Sequence, residues 1–216
     1  HLGSAFYASP YEEAAVVSID GSGDFSTVMI GFGKGSTIKV IESQDFPVSV
    51  GLLYTAFTQY LGFPYYGDEY KVMGLSPYGE PKYLDKMKEI IWFDKDKLLV
   101  WNSDFFQVGD SAVKYVDNIP LVSQLFNRDM FESIFGTSRG RNEAINQNHK
   151  DIAASLQRHT ENLIFAIVNK AIQETGITTV CIAGGVAQNS VANGKIIQNT
   201  KATELYIPSA GHDAGI

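Results

Sequence analysis

The chain has 216 residues, 44% of them hydrophobic, which is enough for one large domain or two lobes with a proper core. Its net charge is -7, and no lysine–arginine block exceeds a scattered pair, so the sequence argues against a nucleic-acid partner held through its phosphate backbone. No apolar run approaches the roughly 20 residues of a membrane span and no secretory core is visible, so no membrane partner is expected; the single cysteine, Cys181, reads as a small buried residue of a cytoplasmic, reducing compartment.

Residues 1–9 carry the small-residue face of a helix ended by Pro10, with His1 read as a tag remnant or a solvated terminus. Residues 14–19 form an apolar run that ends on the carboxylate of Asp20. A glycine-supplied reversal through Gly21 and Gly23 leads into a second β-branched run over residues 27–33, and residues 38–42 can add a third strand after the turn at Gly35. The spacing predicts strand, tight turn and antiparallel strand. Glycine amides can approach a charged oxygen closely, and a strand-end carboxylate beside them can hold a cation, so this hairpin suits a phosphate with its divalent metal. A plain Asp/Gly turn is the competing reading.

Leu52, Leu53, Ala56, Phe57 and Tyr60 give residues 47–60 the pattern of an amphipathic helix, stopped by Gly62. Residues 63–79 are rich in Gly, Pro and Tyr and read as a loop between helices that carries Glu69 and Lys71, either as functional groups or as an ordinary ion pair. Residues 82–92 predict a helix, 98–101 a short strand and 121–135 another helix. Residues 137–148, with Arg139 and Arg141, read as an exposed loop in which an arginine pair could grip an anion or simply be solvated. Asp151 opens the longest helical pattern, which ends at Gly176 and contains His159 as a buried, hydrogen-bonded histidine. Residues 178–183 read as a buried strand running into Gly184 and Gly185 and then a helix over roughly 190–199. A strand, a Gly-Gly break and a helix start let a nucleotide lie against bare backbone, although the spacing is neither a P-loop nor a dinucleotide fingerprint. A short strand at 205–207 and a turn into a further helix near Asp213 complete the pattern.

Three stretches, VSIDGSG (17–23), GDEYKVMGLSPYGEP (67–81) and CIAGGVAQNSVANG (181–194), resemble the nucleotide-binding domain of the O-carbamoyltransferases, the group that includes nodulation-factor and antibiotic-tailoring enzymes. The resemblance runs the length of the chain. It implies an α/β, actin-like ATPase fold of two lobes with mixed sheets and helices, similar to the tRNA threonylcarbamoyl-transfer ATPases. On this resemblance residues 1–216 are part of one nucleotide-binding domain, truncated at both ends, and a carboxy-terminal domain that makes carbamoyl-adenylate lies outside the chain.

Carried over residue by residue, the resemblance places His1 on the second histidine of an H-x-x-x-H metal pair, Asp20 on the metal-binding aspartate after the first strand, and Asp213 on a late aspartate of the same set. Iron is the metal that the resemblance favours, while mixed imidazole and carboxylate ligands equally accept manganese or zinc. Gly184, Gly185, Val186 and Asn189 match the adenosine-side loop, Gly21 and Gly23 the phosphate hairpin, and Glu69 a ribose contact. Lys71 is the candidate catalytic cation beside the phosphate or the leaving group. The implied cofactors are ATP and a divalent metal, and the implied small-molecule partners are carbamoyl phosphate and a hydroxyl-bearing acceptor, a sugar or secondary metabolite. The expected reaction makes carbamoyl-adenylate and then passes the carbamoyl group to the acceptor, with little transfer expected from these residues alone. Two other readings use the same glycine loops: an actin-like kinase, and an ATP-dependent switch or binding module.

Overall fold

The computed structural model describes residues 1–23, 25–108, 114–116 and 119–212. In chain order the elements are α1 (Leu2–Tyr7), β1 (Glu13–Ile19), β2 (Ser26–Lys34), β3 (Thr37–Asp45), α2 (Val50–Tyr60), α3 (Glu69–Leu75), α4 (Leu84–Ile90), β4 (Ile91–Asp94), β5 (Leu98–Trp101), β6 (Lys114–Val116), β7 (Ile119–Leu121), α5 (Arg128–Phe135), α6 (Gln147–Thr175), β8 (Thr179–Ala183), α7 (Ser190–Asn193), α8 (Ile196–Asn199) and β9 (Glu204–Tyr206). This is a mixed α/β chain. Among the described residues no helix is long and apolar enough to cross a membrane.

The chain divides into two compact units: His1–Gly51, Phe93–Val100 and Glu161–Ile216 form the first, and Leu52–Trp92 with Trp101–Thr160 form the second.

The first unit is built on a five-stranded sheet of order β3-β2-β1-β8-β9. β1 and β2 are antiparallel with Val17 opposite Ile30, and β2 and β3 continue the meander with Phe32 opposite Lys39. β1 then pairs in parallel with β8, Val17 opposite Ile182, and β8 with β9, Cys181 opposite Tyr206. The apolar run of β1 lacks polar alternation because the strand is central and buried on both faces. β3, at the sheet edge, is largely exposed and carries the polar residues. The small-residue helix α1 packs Leu2, Ala5 and Phe6 with Ala14, Val16, Cys181 and Ala183. The packing is close: a Cβ on Gly33 would stand 2.7 Å from the Phe6 ring. Cys181 is fully buried here, and burial pushes its thiol pKa up.

The second unit packs around aromatic rings. Phe57 and Tyr60 of α2 meet Phe131 and Phe135 of α5, with Phe57 and Phe131 4.7 Å apart and Phe57 edge-on to Phe135 at 5.2 Å. The Tyr60 hydroxyl, its pKa pushed up by burial, donates to the Gly136 carbonyl. Gly62 ends α2 at φ +79, as its position after the last apolar residue predicts. Asp151 ties the 79–83 segment to α6 by accepting from the Glu80 amide at 2.9 Å, the Lys82 ammonium at 2.6 Å and the Gln147 side chain at 2.9 Å.

His159 is buried at 3% exposure with Nε2 2.8 Å from the Ile91 carbonyl, and burial pushes its pKa down to about 4. The folded state therefore holds fewer protons than the unfolded chain between pH 4 and about 6.5, and stability falls as pH drops through that window. We expect about 2 kcal/mol to be lost between pH 7 and pH 5 from this group alone. Urea unfolding at the two pH values checks it, and in His159→Gln the corresponding part of the slope should vanish.

Several sequence expectations are corrected. Residues 63–79 are not a loop throughout: Glu69–Leu75 form α3 and Ser76–Tyr78 a 3-10 turn. The predicted helix at 82–92 covers only Leu84–Ile90, and Ile91 and Trp92 belong to β4. The predicted helix at 121–135 begins only at Arg128, where Asn127 caps it by accepting from the Met130 amide. The helix near 190–199 is two single turns, interrupted after Asn193. In the 137–148 segment the half-buried Arg139 guanidinium donates to the carbonyls of Leu61, Glu143 and Arg141 and lies over Phe63, while Arg141 lies over Tyr65.

Candidate functional site

The first unit gathers most of the predicted site residues at one end of its sheet. β1 and β8 are parallel neighbours, so the loops that follow them leave the same edge, the usual place for a ligand in such sheets. Asp20 follows β1, and Gly184 and Gly185 follow β8. Asp20 is 9% exposed, and its carboxylate is spoken for on both oxygens. Oδ1 accepts from the Gly21 amide at 2.7 Å and the Gly185 amide at 3.1 Å, while Oδ2 lies 2.7 Å from Nε2 of His1. His1 is not a solvated terminus: its carbonyl accepts from the Ala5 amide at 3.0 Å and from the Ser4 hydroxyl at 2.9 Å, which seats the imidazole at the start of α1.

Backbone closeness builds this corner. Gly184 sits at φ +103, and a Cβ there would stand 2.3 Å from the Ile19 carbonyl oxygen. Its amide donates to the Gly211 carbonyl at 2.9 Å. A Cβ on Gly185 would lie 2.9 Å from Oδ1 of Asp20, and one on Gly51 2.4 Å from the Gly21 Cα. The buried Ser49 hydroxyl lies 2.9 Å from the Asp20 carbonyl oxygen and 2.7 Å from that of Gly21. Ser49 and Gly51 were not singled out from the sequence. A serine just before an apolar helix and a glycine inside its first turn were the available signals.

Nε2 of His1 and Oδ2 of Asp20 are in direct hydrogen-bond contact at 2.7 Å, and an imidazole beside a carboxylate is a donor pair that could serve a divalent metal. Imidazole and carboxylate suit iron, manganese and zinc alike. Asp213 lies outside the described residues. Among the described residues no group of three or more His, Cys, Asp or Glu side chains is placed to hold a metal.

The remaining predicted residues divide. In the hairpin, the Gly21 amide points to Asp20 and the Gly23 amide closes the turn on the Ser26 carbonyl at 3.1 Å. Val186 opens a 3-10 turn, and the Asn189 side chain accepts from the Ala192 amide at 3.0 Å, capping α7. Glu69 and Lys71 belong to the second unit, on α3. They do not pair with each other: Glu69 accepts from the Thr55 hydroxyl at 2.6 Å, and Lys71 reaches Asp68 at 2.6 Å. That hydrogen bond to Asp68 raises the Lys71 pKa and keeps the amine charged.

The family model for the carbamoyltransferase N-terminus matches residues 1–216. Uncharacterized protein sll1178 of Synechocystis sp. is 38% identical over 217 residues, covering 100% of this chain and 33% of its own length. Nodulation protein NolO of Bradyrhizobium diazoefficiens is 33% identical over 215 residues, covering 100% of this chain and 35% of its own. A tRNA N6-adenosine threonylcarbamoyltransferase of Christiangramia forsetii is 48% identical over 48 residues, 22% of this chain and 14% of its own. The chain thus spans about a third of the length of the first two relatives.

Proposed function

This chain belongs to the carbamoyltransferase family through its N-terminal domain, and from that premise we propose that it is the nucleotide- and metal-binding part of an enzyme that carries a carbamoyl group from carbamoyl phosphate, through carbamoyl-adenylate, to an acceptor hydroxyl. The observation that carries the reading is the junction of His1, Asp20 and the Gly185 amide beyond the carboxyl ends of β1 and β8. The run of three antiparallel strands followed by two parallel ones supports taking this unit as one lobe of an actin-like ATPase.

In this reading His1 Nε2 and Asp20 Oδ2 hold a divalent ion, iron in the first instance. That ion supplies charge neutralisation at the nucleotide phosphates. The Gly21 and Gly185 amides anchor Oδ1 of Asp20 and leave Oδ2 on the His1 side, where it would be available to such an ion. Gly184, Gly185 and Val186 offer bare backbone to the adenosine side, and Asn189 fixes that loop by capping α7. Transfer needs the acceptor hydroxyl oxygen to attack the carbamoyl carbon, its proton to pass to a base, and the bond from that carbon to the phosphate oxygen to break with AMP leaving, so charge at the phosphate grows as the bond breaks. Lys71, charged and held by Asp68, is the proposed side chain for that developing charge, and Glu69 the proposed ribose contact. A kinase or ATP-driven switch needs no imidazole beside the strand-end aspartate, and the contact between His1 and Asp20 favours the transferase.

The test is turnover of ATP and carbamoyl phosphate by the full-length parent, with and without iron or manganese, against a panel of sugar-bearing acceptors. We expect metal-dependent carbamoyl transfer; ATP hydrolysis indifferent to carbamoyl phosphate would overturn the reading in favour of the kinase or switch. A narrower check is Gly185→Val, whose side chain would press on Asp20 Oδ1. Affinity for Mn2+ is expected to fall at least about ten-fold, and wild-type affinity in that variant would remove Gly185 from the site.

A further inference from the structure

Asp20 owes its aim to a residue outside the carboxylate's own contacts. Ser49 is fully buried, and its hydroxyl lies within hydrogen-bond reach of two successive carbonyl oxygens, Asp20 at 2.9 Å and Gly21 at 2.7 Å. A hydroxyl carries one proton, so the two carbonyls share it in a three-centre bond. The C=O of residue 20 and the N–H of residue 21 belong to one planar trans peptide and point in opposite directions. Drawing the Asp20 carbonyl toward Ser49 therefore turns the Gly21 N–H the other way, where it donates to Oδ1 of Asp20 at 2.7 Å. That bond and the one from Gly185 anchor Oδ1 and leave Oδ2 facing His1.

The seat of Ser49 is fixed in turn. The buried Thr27 hydroxyl donates to the Val48 carbonyl at 2.6 Å, and the Asp20 amide donates to the Thr27 carbonyl at 2.9 Å, so the segment before α2 is stitched to the base of the hairpin. Gly51 lets α2 start close against this turn, since any Cβ there would overlap the Gly21 backbone. We propose that Ser49 is a positioning residue, which sets the Asp20–Gly21 peptide so that the Asp20 carboxylate faces His1 and a bound divalent ion. The part of this that concerns the ion rests on the reading of Asp20 as a metal ligand.

Ser49→Ala in the full chain, read two ways, tests it. The amide proton of Gly185, 165 residues from Asp20 in sequence, reports the carboxylate without any metal and should move to higher field as its hydrogen bond loosens. Affinity for Mn2+, followed by titration, should fall about 10- to 100-fold, the usual effect of removing a group that orients a ligand. Ser155→Ala is the control: that hydroxyl is equally buried and donates to the Asp151 carbonyl at 2.6 Å, in the other unit. It should lower stability while leaving both readouts at wild-type values. An unmoved Gly185 resonance in Ser49→Ala, or an equal shift in Ser155→Ala, overturns the positioning role. A moved resonance in a protein whose wild type binds no Mn2+ upholds the positioning role and overturns the ligand assignment of Asp20.

Discussion

Gly184→Ala is expected to remove most of the protein's folding stability. At φ +103 the backbone is one that a side-chain-bearing residue adopts at a cost of about 1–2 kcal/mol, and the new Cβ would stand 2.3 Å from the Ile19 carbonyl oxygen. That oxygen is backbone of the central strand and cannot swing aside as a side chain would. Either β1 or the turn after β8 must move, and the ladder between them, with Ser18 opposite Ala183, is the nearest thing to give way. We expect a loss of at least about 4 kcal/mol, near the total for a marginal domain. Gly35→Ala separates the two causes, because Gly35 sits at φ +56 with nothing within 4 Å of the added Cβ. It should cost only about 1–2 kcal/mol. Equal midpoints for the two variants in urea would mean that the close approach at Gly184 carries no weight.

Asp20→Asn should spare the fold and empty the site. The amide side chain has the shape of the carboxylate and keeps one oxygen to accept from Gly21 and Gly185, so the cradle stays satisfied. An NH2 group then faces His1 in place of Oδ2 and offers no lone pair to a cation. We expect melting within a few degrees of wild type and a loss of more than about 100-fold in Mn2+ affinity, beyond the range seen when only an orienting group is removed. Alanine is the poorer probe, since it also strips the Gly21 and Gly185 amides of their acceptor. Retained Mn2+ affinity in Asp20→Asn would take Asp20 out of the ligand set.

The strands were legible because their signals are local. The β-branched run before Asp20 and the glycines after it give β1, the turn and β2 to within a residue or two. The same holds for β8, whose apolar run stops at a Gly-Gly pair. What could not be read was which loops meet. Asp20 and Gly185 are brought together only by the parallel pairing of β1 with β8, and no local pattern encodes that pairing. His1 carried no signal of its own and entered through family likeness. Ser49 does its work with a hydroxyl aimed at main-chain carbonyls, a role that leaves no motif. The 63–79 stretch was misjudged because its Gly, Pro and Tyr content hid a helix of two turns opened by Glu69, whose charge suits a helix start. Asn127 likewise marks a helix start seven residues later than hydrophobic spacing alone suggested.

The first unit is assembled from three separated stretches of chain, whereas the second is interrupted only by residues 93–100. On the ribosome, β1, β2 and β3 can form their meander as soon as they emerge, but the flank of β1 that β8 will cover stays open until residues 179–183 have been made. For well over a hundred residues of elongation the nascent protein exposes the edge of a strand whose residues 14–19 are all buried in the finished fold, and closing so distant a pairing is slow. Newly made chains are therefore most vulnerable to clumping before β8 arrives, and slowed translation or scarce chaperone should depress soluble yield even where the finished fold is stable.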